Sequence, residues 1–315
     1  MQITIIICTR NRASMLRRAL QSLVECSKPS DPDSWEVLVV DNASSDDTPS
    51  LVAEFCATLP LRSVSEEKLG LSNARNRGVR EAHGRWILWI DDDVTVCPDW
   101  LRAYADAIAR YQDATALGGP VIIQFEGNPP AWLSQGVEWV QDAYAGRSPK
   151  FQGEFHASGP KPYGANFGLR SMAAQTIPFD TNMGHHPSRP TMGGEETEVI
   201  RKVLSGGKGW WVPQAFVVHH IDESRQTADY LWAYYMDIGL LRSQTWKDLL
   251  YWNRLSNLAG VVMRFCINHA RYVALCLVQD ERYRARALRN AAWQWGYIKG
   301  CVRTLTGMQK EVVLV

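Results

Sequence analysis

The chain has 315 residues, 46% apolar and 21% charged, with neither internal repeats nor low-complexity tracts, so one large or two smaller globular domains are expected. A net charge of +1 gives no general attraction for nucleic-acid phosphates. Seven cysteines, Cys8, Cys26, Cys56, Cys97, Cys266, Cys276 and Cys301, are odd in number and lack a Cys-x-x-Cys pair, which fits reduced thiols in a cytoplasmic protein.

Residues 3–8 are an apolar run with no basic stretch before it, too short for the core of a secretory signal, and they open the chain as a strand. A polar loop at 9–12 and an amphipathic helix at 13–26 follow. The pattern recurs with a buried strand at 35–40, a polar turn at 41–47 and a helix at 48–59 that has Pro49 in its first turn. A third strand is expected at 62–65, a helix at 72–82 stopped by Gly84, and a fourth strand at 85–90 ending on Asp91, Asp92 and Asp93. Such alternation predicts an α/β fold with a Rossmann-like, mainly parallel sheet, in which ligands bind beyond the carboxyl ends of the strands. No Gly-x-Gly-x-x-Gly follows the first strand and no Walker lysine motif occurs, so phosphate is held by other means.

Farther along, a helix is expected at 100–111 and a strand at 118–125. The Pro- and Gly-rich tract 127–164 reads as a long substrate-contacting connection. A helix at 194–205 has acids in its first turn, and a strand at 210–218 terminates at His219-His220.

Three adjacent aspartates repel one another, and a divalent cation is the simplest remedy. Strand alternation points Asp91 and Asp93 to one side and Asp92 to the other; a solvated acidic turn is the plainer alternative. Glu195 and Glu196 follow Gly193-Gly194, where a carboxylate at a cleft edge can take a hydroxyl proton, although acids at a helix start also serve its dipole. One of His219 and His220 can face the cleft and complete a metal shell, because neighbouring strand residues point oppositely. Arg10, Arg12, Arg75, Arg77 and Arg225 are available to screen a pyrophosphate, and Asn73 and Arg75 lie where free helix amides favour an anion.

In this order the motifs resemble family-2 glycosyltransferases of the GT-A fold over about residues 3–239. The resemblance is carried by Ile7-Cys8-Thr9-Arg10-Asn11-Arg12, by the run from Val39 to Thr48, by Gly70-Leu71-Ser72-Asn73-Ala74-Arg75-Asn76-Arg77-Gly78 and by Ile90-Asp91-Asp92-Asp93, a DXD motif. Gly164-Ala165-Asn166-Phe167-Gly168-Leu169-Arg170 is similar to the family's acceptor-side segment, and Gly194-Glu195-Glu196-Thr197-Glu198 to its catalytic acid motif.

The resemblance implies an inverting, metal-dependent, hexosyltransferase-like enzyme that uses UDP- or another NDP-sugar. Thr9, Arg10, Asn11, Arg12 and Asp41 would line the nucleotide pocket, with Asn73, Arg75, Asp91 and Asp92 also on the nucleotide-sugar side. Asp93, with Asp91 and His219, would hold Mn2+ or Mg2+. Glu196 would be the base where the family commonly has Asp, with Glu195 beside it. The acceptor would be a glycan or a lipid-linked sugar, as in polysaccharide, glycolipid or other glycoconjugate biosynthesis. Rival readings are a non-catalytic nucleotide-sugar sensor or scaffold, disfavoured by Asp93 and Glu196 together, and a sugar nucleotidyltransferase, disfavoured by the lack of a glycine-rich first loop.

A catalytic domain at 1–225 and a helical region at 226–315 packing on it are expected. The apolar stretch 259–278 is interrupted by Arg264, Asn268, His269 and Arg271, which predicts that it does not cross a membrane. Between residues 254 and 311 ten Lys or Arg face three acids, so these helices either pack as ordinary amphipathic elements or touch anionic lipid peripherally at the inner face of the membrane.

Overall fold

The computed structural model describes residues 2–29, 31, 34–187, 193–243, 251–278 and 281–306, without the side chains of 251–255. Residues 307–311 of the basic tract therefore lie outside the described residues.

The first half alternates as expected. β1 (Ile3–Thr9), α1 (Ala13–Glu25), β2 (Trp35–Asp41), α2 (Thr48–Phe55), β3 (Leu61–Ser65), α3 (Leu71–Glu81) and β4 (Trp86–Asp91) follow one another. Next come β5 (Val94–Val96), α4 (Trp100–Arg110), β6 (Ala114–Gly118), β7 (Val121–Phe125), α5 (Ala131–Gly136) and β8 (Glu154–Phe155). Then come β9 (Asn166–Arg170), α6 (Ser171–Thr176), α7 (Glu195–Val203), β10 (Lys208–Trp211) and β11 (Val217–Ile221), before three helices, α8 (Ala228–Arg242), α9 (Tyr251–Val278) and α10 (Glu281–Thr306).

The main sheet runs β3-β2-β1-β4-β9-β6-β10-β8, and β5-β11-β7 form a smaller one. β1, β2, β3 and β4 pair in parallel, whereas β9 lies antiparallel between β4 and β6. The central strands are apolar at most positions because both faces are covered. Ile3, Ile5 and Ile7 pack with Leu16, Leu20 and Leu23 of α1 and Trp100 and Tyr104 of α4. Ile6 of the same strand points the other way, with Ala74 and Val79 of α3 and Val199 and Ile200 of α7.

Three strand expectations change. The strand at 118–125 is two, β6 and β7, because Gly119-Pro120 turns between them, and the strand at 210–218 is β10 and β11, broken at Pro213-Gln214. β11 continues through His219 and His220 rather than ending before them.

The chain divides into two compact units, Met1–Gln124 with Ala145–His220, and Phe125–Tyr144 with Ile221–Val315. The cut expected at 225/226 falls at 220/221, and part of the supposed connection 127–164 belongs to the second unit. The reason is local: Trp132 and Leu133 of α5 are buried, and Gly136 lies so close to α10 that a methyl there would stand 2.8 Å from Ala285 Cβ.

The second unit is helical. α10 buries a run of small residues, among them Ala285, Ala291, Ala292, Gly296 and Gly300. Its backbone meets that of α8 directly: a Cβ on Gly239 would fall on the Trp293 carbonyl, and one on Gly296 on the Met236 carbonyl. α9 packs on the other flank of α10 through Phe265, stacked on Trp295 at 5.2 Å, and Asn268, which donates to Gln294 at 3.2 Å.

Candidate active site

The parallel strands deliver their carboxyl ends to one edge. Thr9 closes β1, and its hydroxyl donates to Asp92 Oδ2 at 2.7 Å. Arg12, just before α1, reaches Asp92 Oδ1 at 3.0 Å and Asp93 Oδ2 at 3.3 Å. Strand alternation therefore does not continue through the three aspartates. β4 stops at Asp91, and Asp92 and Asp93 occupy a turn into β5, so Arg12 grips both while Asp91 faces Arg75 at 3.4 Å. Burial pushes the Asp92 carboxyl up to about 6, with Arg12 opposing and Asp93 adding to the rise. Asp92 also holds the Arg12 guanidinium strongly in its charged form.

Asp93, just before β5, and His219 of the adjacent β11 meet, Oδ1 to Nε2 at 3.3 Å, and both are buried. The question of which histidine faces the carboxylates is answered by β11: His219 does, whereas His220 Nε2 lies 3.0 Å from the Thr95 hydroxyl. Among the described residues no three His, Cys, Asp or Glu side chains converge as a ready-made metal cage. A carboxylate and an imidazole together still match a cation that takes its remaining ligands from water and phosphate oxygens.

Arg75 of α3 forms the second node. Its Nη1 donates to Glu195 Oε1 at 2.5 Å and lies 3.9 Å from Glu196 Oε2, while Nη2 also reaches the Gly164 carbonyl at 3.4 Å. The guanidinium lies over the rings of Phe167 and Phe179, 5.8 and 5.6 Å from their centroids. Gly164 is a glycine for space, since a Cβ would stand 2.5 Å from Arg75 Nη2. Gly184, at φ +88°, makes the matching approach from the other side, where a Cβ would lie 3.1 Å from Glu195 Cδ.

Glu195 and Glu196 open α7 and are both buried. Burial raises both carboxyls, and Arg75 opposes the rise. Because Arg75 is much nearer Glu195, the first negative charge rests there. Glu196 is pushed up to about 7 by burial and then by the charge of Glu195. Among the described residues Glu195 Oε2 is buried with no hydrogen-bond partner.

The remaining expected residues lie outside these two clusters of ion pairs. Asp41 Oδ1 accepts from the Ser44 amide at 3.0 Å, and Asn11, at φ 53°, accepts from the Ser45 amide at 2.7 Å, so both shape the loops after β1 and β2. Asn73 donates to the Leu69 carbonyl at 2.9 Å at the start of α3. Arg10 is half-buried, and Arg77 pairs with Glu81 along α3 at 3.0 Å, away from the cluster. Arg225 belongs to the second unit, where its Nε donates to the Tyr230 hydroxyl at 3.1 Å.

Asn166 of the acceptor-like segment is fully buried as the first residue of β9. It accepts from Trp100 Nε1 at 3.0 Å and Tyr104 OH at 2.9 Å, and donates to the carbonyls of Pro120 and Ala215 at 2.9 and 2.7 Å. The site residues not foreseen are Cys8, whose thiol burial pushes up to about 12, and Phe179 and Gly184, which back Arg75 and Glu195. Only the position of Cys8, between motif residues on β1, carried a signal in the sequence.

The sheet, with parallel β1–β4 delivering their carboxyl ends to an aspartate-rich turn, has the architecture of the GT-A glycosyltransferases. Residues 4–175 match the family model described as glycosyl transferase family 2, and the chain belongs to that family of enzymes. It is 27% identical over 310 residues to succinoglycan biosynthesis protein ExoM of Rhizobium meliloti, covering 95% of this chain and 93% of that one. It is also 27% identical over 189 residues to glucosyl-dolichyl phosphate glucuronosyltransferase of Haloferax volcanii, covering 59% of this chain. The matched region spans 58% of that relative's length and 61% of succinoglycan biosynthesis protein ExoO of Rhizobium meliloti. Among solved structures, the mannosyltransferase PcManGT of Pyrobaculum calidifontis, in complex with GDP-Man and Mn2+, shares the fold. Its TM-score is 0.58 at 18% identity, over 98% of this chain and 88% of that one.

Proposed function

We propose that this chain moves a sugar from a nucleoside-diphosphate sugar to an acceptor hydroxyl in a single, inverting displacement, in the assembly of a polysaccharide, glycolipid or other glycoconjugate. The observation that carries this reading is the glutamate pair anchored by Arg75, in which one carboxylate is neutralised and the other, Glu196, titrates near neutrality. A group of that kind takes a proton from a hydroxyl at physiological pH, where an ordinary surface glutamate is too weak a base.

Glu196 is the base, and Glu195 with Arg75 holds it in place. As the acceptor oxygen attacks C1, Glu196 takes its proton and the bond to the nucleoside diphosphate breaks; no second carboxylate is needed for a covalent sugar intermediate. Thr9, Arg10, Asn11, Arg12, Asp41 and Asn73 form the nucleotide side, and Asp91 and Asp92 the sugar side. Asp93 and His219 would hold Mn2+ or Mg2+, which when bound would offset the charge developing on the diphosphate; Asp91, expected to join them, pairs with Arg75 instead and stays on the sugar side.

The donor side is supported by the solved mannosyltransferase, whose complex contains GDP-Man and Mn2+. A lipid-linked acceptor is supported by the relative named for glucosyl-dolichyl phosphate. Seven free thiols support a reducing, cytoplasmic setting. Thermal-shift measurements across nucleoside diphosphates, with and without Mn2+, test the reading: one diphosphate raises the melting temperature, more so with the ion. A uniformly flat response would reject it.

A further inference from the structure

We infer that the outward face of α9 is a docking surface for an anionic lipid bilayer, with the helix lying in the membrane plane. This goes beyond the transfer reaction and uses no residue of the catalytic site. Val262, Met263, Ile267, Val273, Leu277 and Val278 are 40–80% exposed, and at about 3.6 residues per turn all six fall within one half of the helix circumference, so they form one stripe. From Val262 to Val278 the stripe is about 24 Å long at the usual helical rise.

The opposite side of α9 is occupied: Val261 is buried, Phe265 stacks on Trp295, and Asn268 bonds to Gln294. An ordinary surface helix turns its apolar face to the core and its charges to water; here the side away from α10 is apolar. Isolated exposed apolar residues are normal, but a continuous stripe marks a contact surface.

Charge selects the partner. Between residues 256 and 306 there are eight Lys or Arg and two acids. Arg264 and Arg271 are exposed at the edge of the stripe, and Arg282, Arg286 and Arg303 are exposed on α10. A second copy stacked face to face would bring two such arginine-rich edges together, whereas anionic headgroups neutralise them.

Ser256–Val278 is long and apolar enough to cross a bilayer, and only 6% of its apolar window is buried. Two features favour lying in the plane over crossing. Arg264 and Arg271 would sit deep in hydrocarbon, and arginine-rich α10, packed on α9, would have to follow.

The test is flotation of the full chain with vesicles of phosphatidylcholine alone, or mixed with phosphatidylglycerol. The chain is expected to float with the mixed vesicles, less so at high salt, and to come off at alkaline carbonate pH. The paired substitution Met263→Glu and Ile267→Glu should weaken binding at least about tenfold. The paired substitution Arg264→Gln and Arg271→Gln should remove most of the salt-sensitive part. A thermal melt confirms that each variant is folded. The inference is overturned if the glutamate pair floats like the parent, if the chain resists carbonate extraction as a spanning helix does, or if the pair splits a soluble dimer that never binds vesicles. Because flotation does not depend on sugar transfer, failure of either reading leaves the other standing.

Discussion

Arg75 and Glu195, 120 residues apart in sequence, meet at 2.5 Å with both side chains nearly fully buried. The arginine comes from α3 and the glutamate from α7, so the geometry of the Glu195–Glu196 pair depends on a contact between distant segments. A buried ion pair adds little net stability, but losing one partner strands a charge. Arg75→Met is expected to cost about 3–5 kcal/mol in urea denaturation, and adding Glu195→Gln should recover part of it. If Arg75→Met unfolded at the parent's midpoint, the pair would not be a structural clamp.

With Glu196 as the proposed base, the reaction is expected to depend on pH. Its folded-state value lies near 7, above the ordinary 4.5, so transfer should rise with pH through about 7 as the carboxylate forms. Stability moves the other way. Between 4.5 and 7 the folded chain keeps a proton that the unfolded chain has lost, so this contribution is full below the window and fades as pH rises through it. Glu196→Gln should therefore be more stable than the parent at pH 8 by about 3 kcal/mol and indistinguishable at low pH. The same variant should bind donor normally and lose transfer by about 100-fold or more.

Metal dependence is checked at the Asp93–His219 pair. Removal of divalent ions by chelation should abolish transfer, and Mn2+ should restore it. Asp93→Asn and His219→Ala are each expected to raise the Mn2+ concentration needed for the nucleotide-induced thermal shift by about tenfold or more. Unchanged Mn2+ titrations in both variants would move the ion elsewhere.

Asn166 separates scaffold from acceptor contact. Its four side-chain hydrogen bonds tie α4, β9 and the segments before β7 and β11 together. Asn166→Ala leaves buried donors and carbonyls unpaired and should cost about 3 kcal/mol or more. At a temperature where the variant remains folded, its KM for acceptor should match the parent's; a selective rise in KM would assign Asn166 to the acceptor instead.

The strands and helices up to Asp91 are legible because apolar runs recur there with clear spacing between polar turns. β9 is not legible as a strand because Asn166 and Gly168 lower its strand propensity, and its role follows from the buried Asn166 network. The side of the cluster on which Asp93 falls was not legible either, since alternation ends where the turn begins. The motif arginines look alike in sequence, yet Arg12 and Arg75 are the ones that meet the carboxylate clusters among the described residues. Arg77 lies on another part of α3, and Arg225 on another unit. That partition depends on tertiary placement, which local spacing does not encode.

The crossing of α8 and α10 at Gly239 and Gly296 sets main chain against main chain. With no layer of side chains between them to act as a bearing, the two helices cannot shear past each other and move as a single beam. Whatever bending this helical unit undergoes must be absorbed at its joints rather than along that seam.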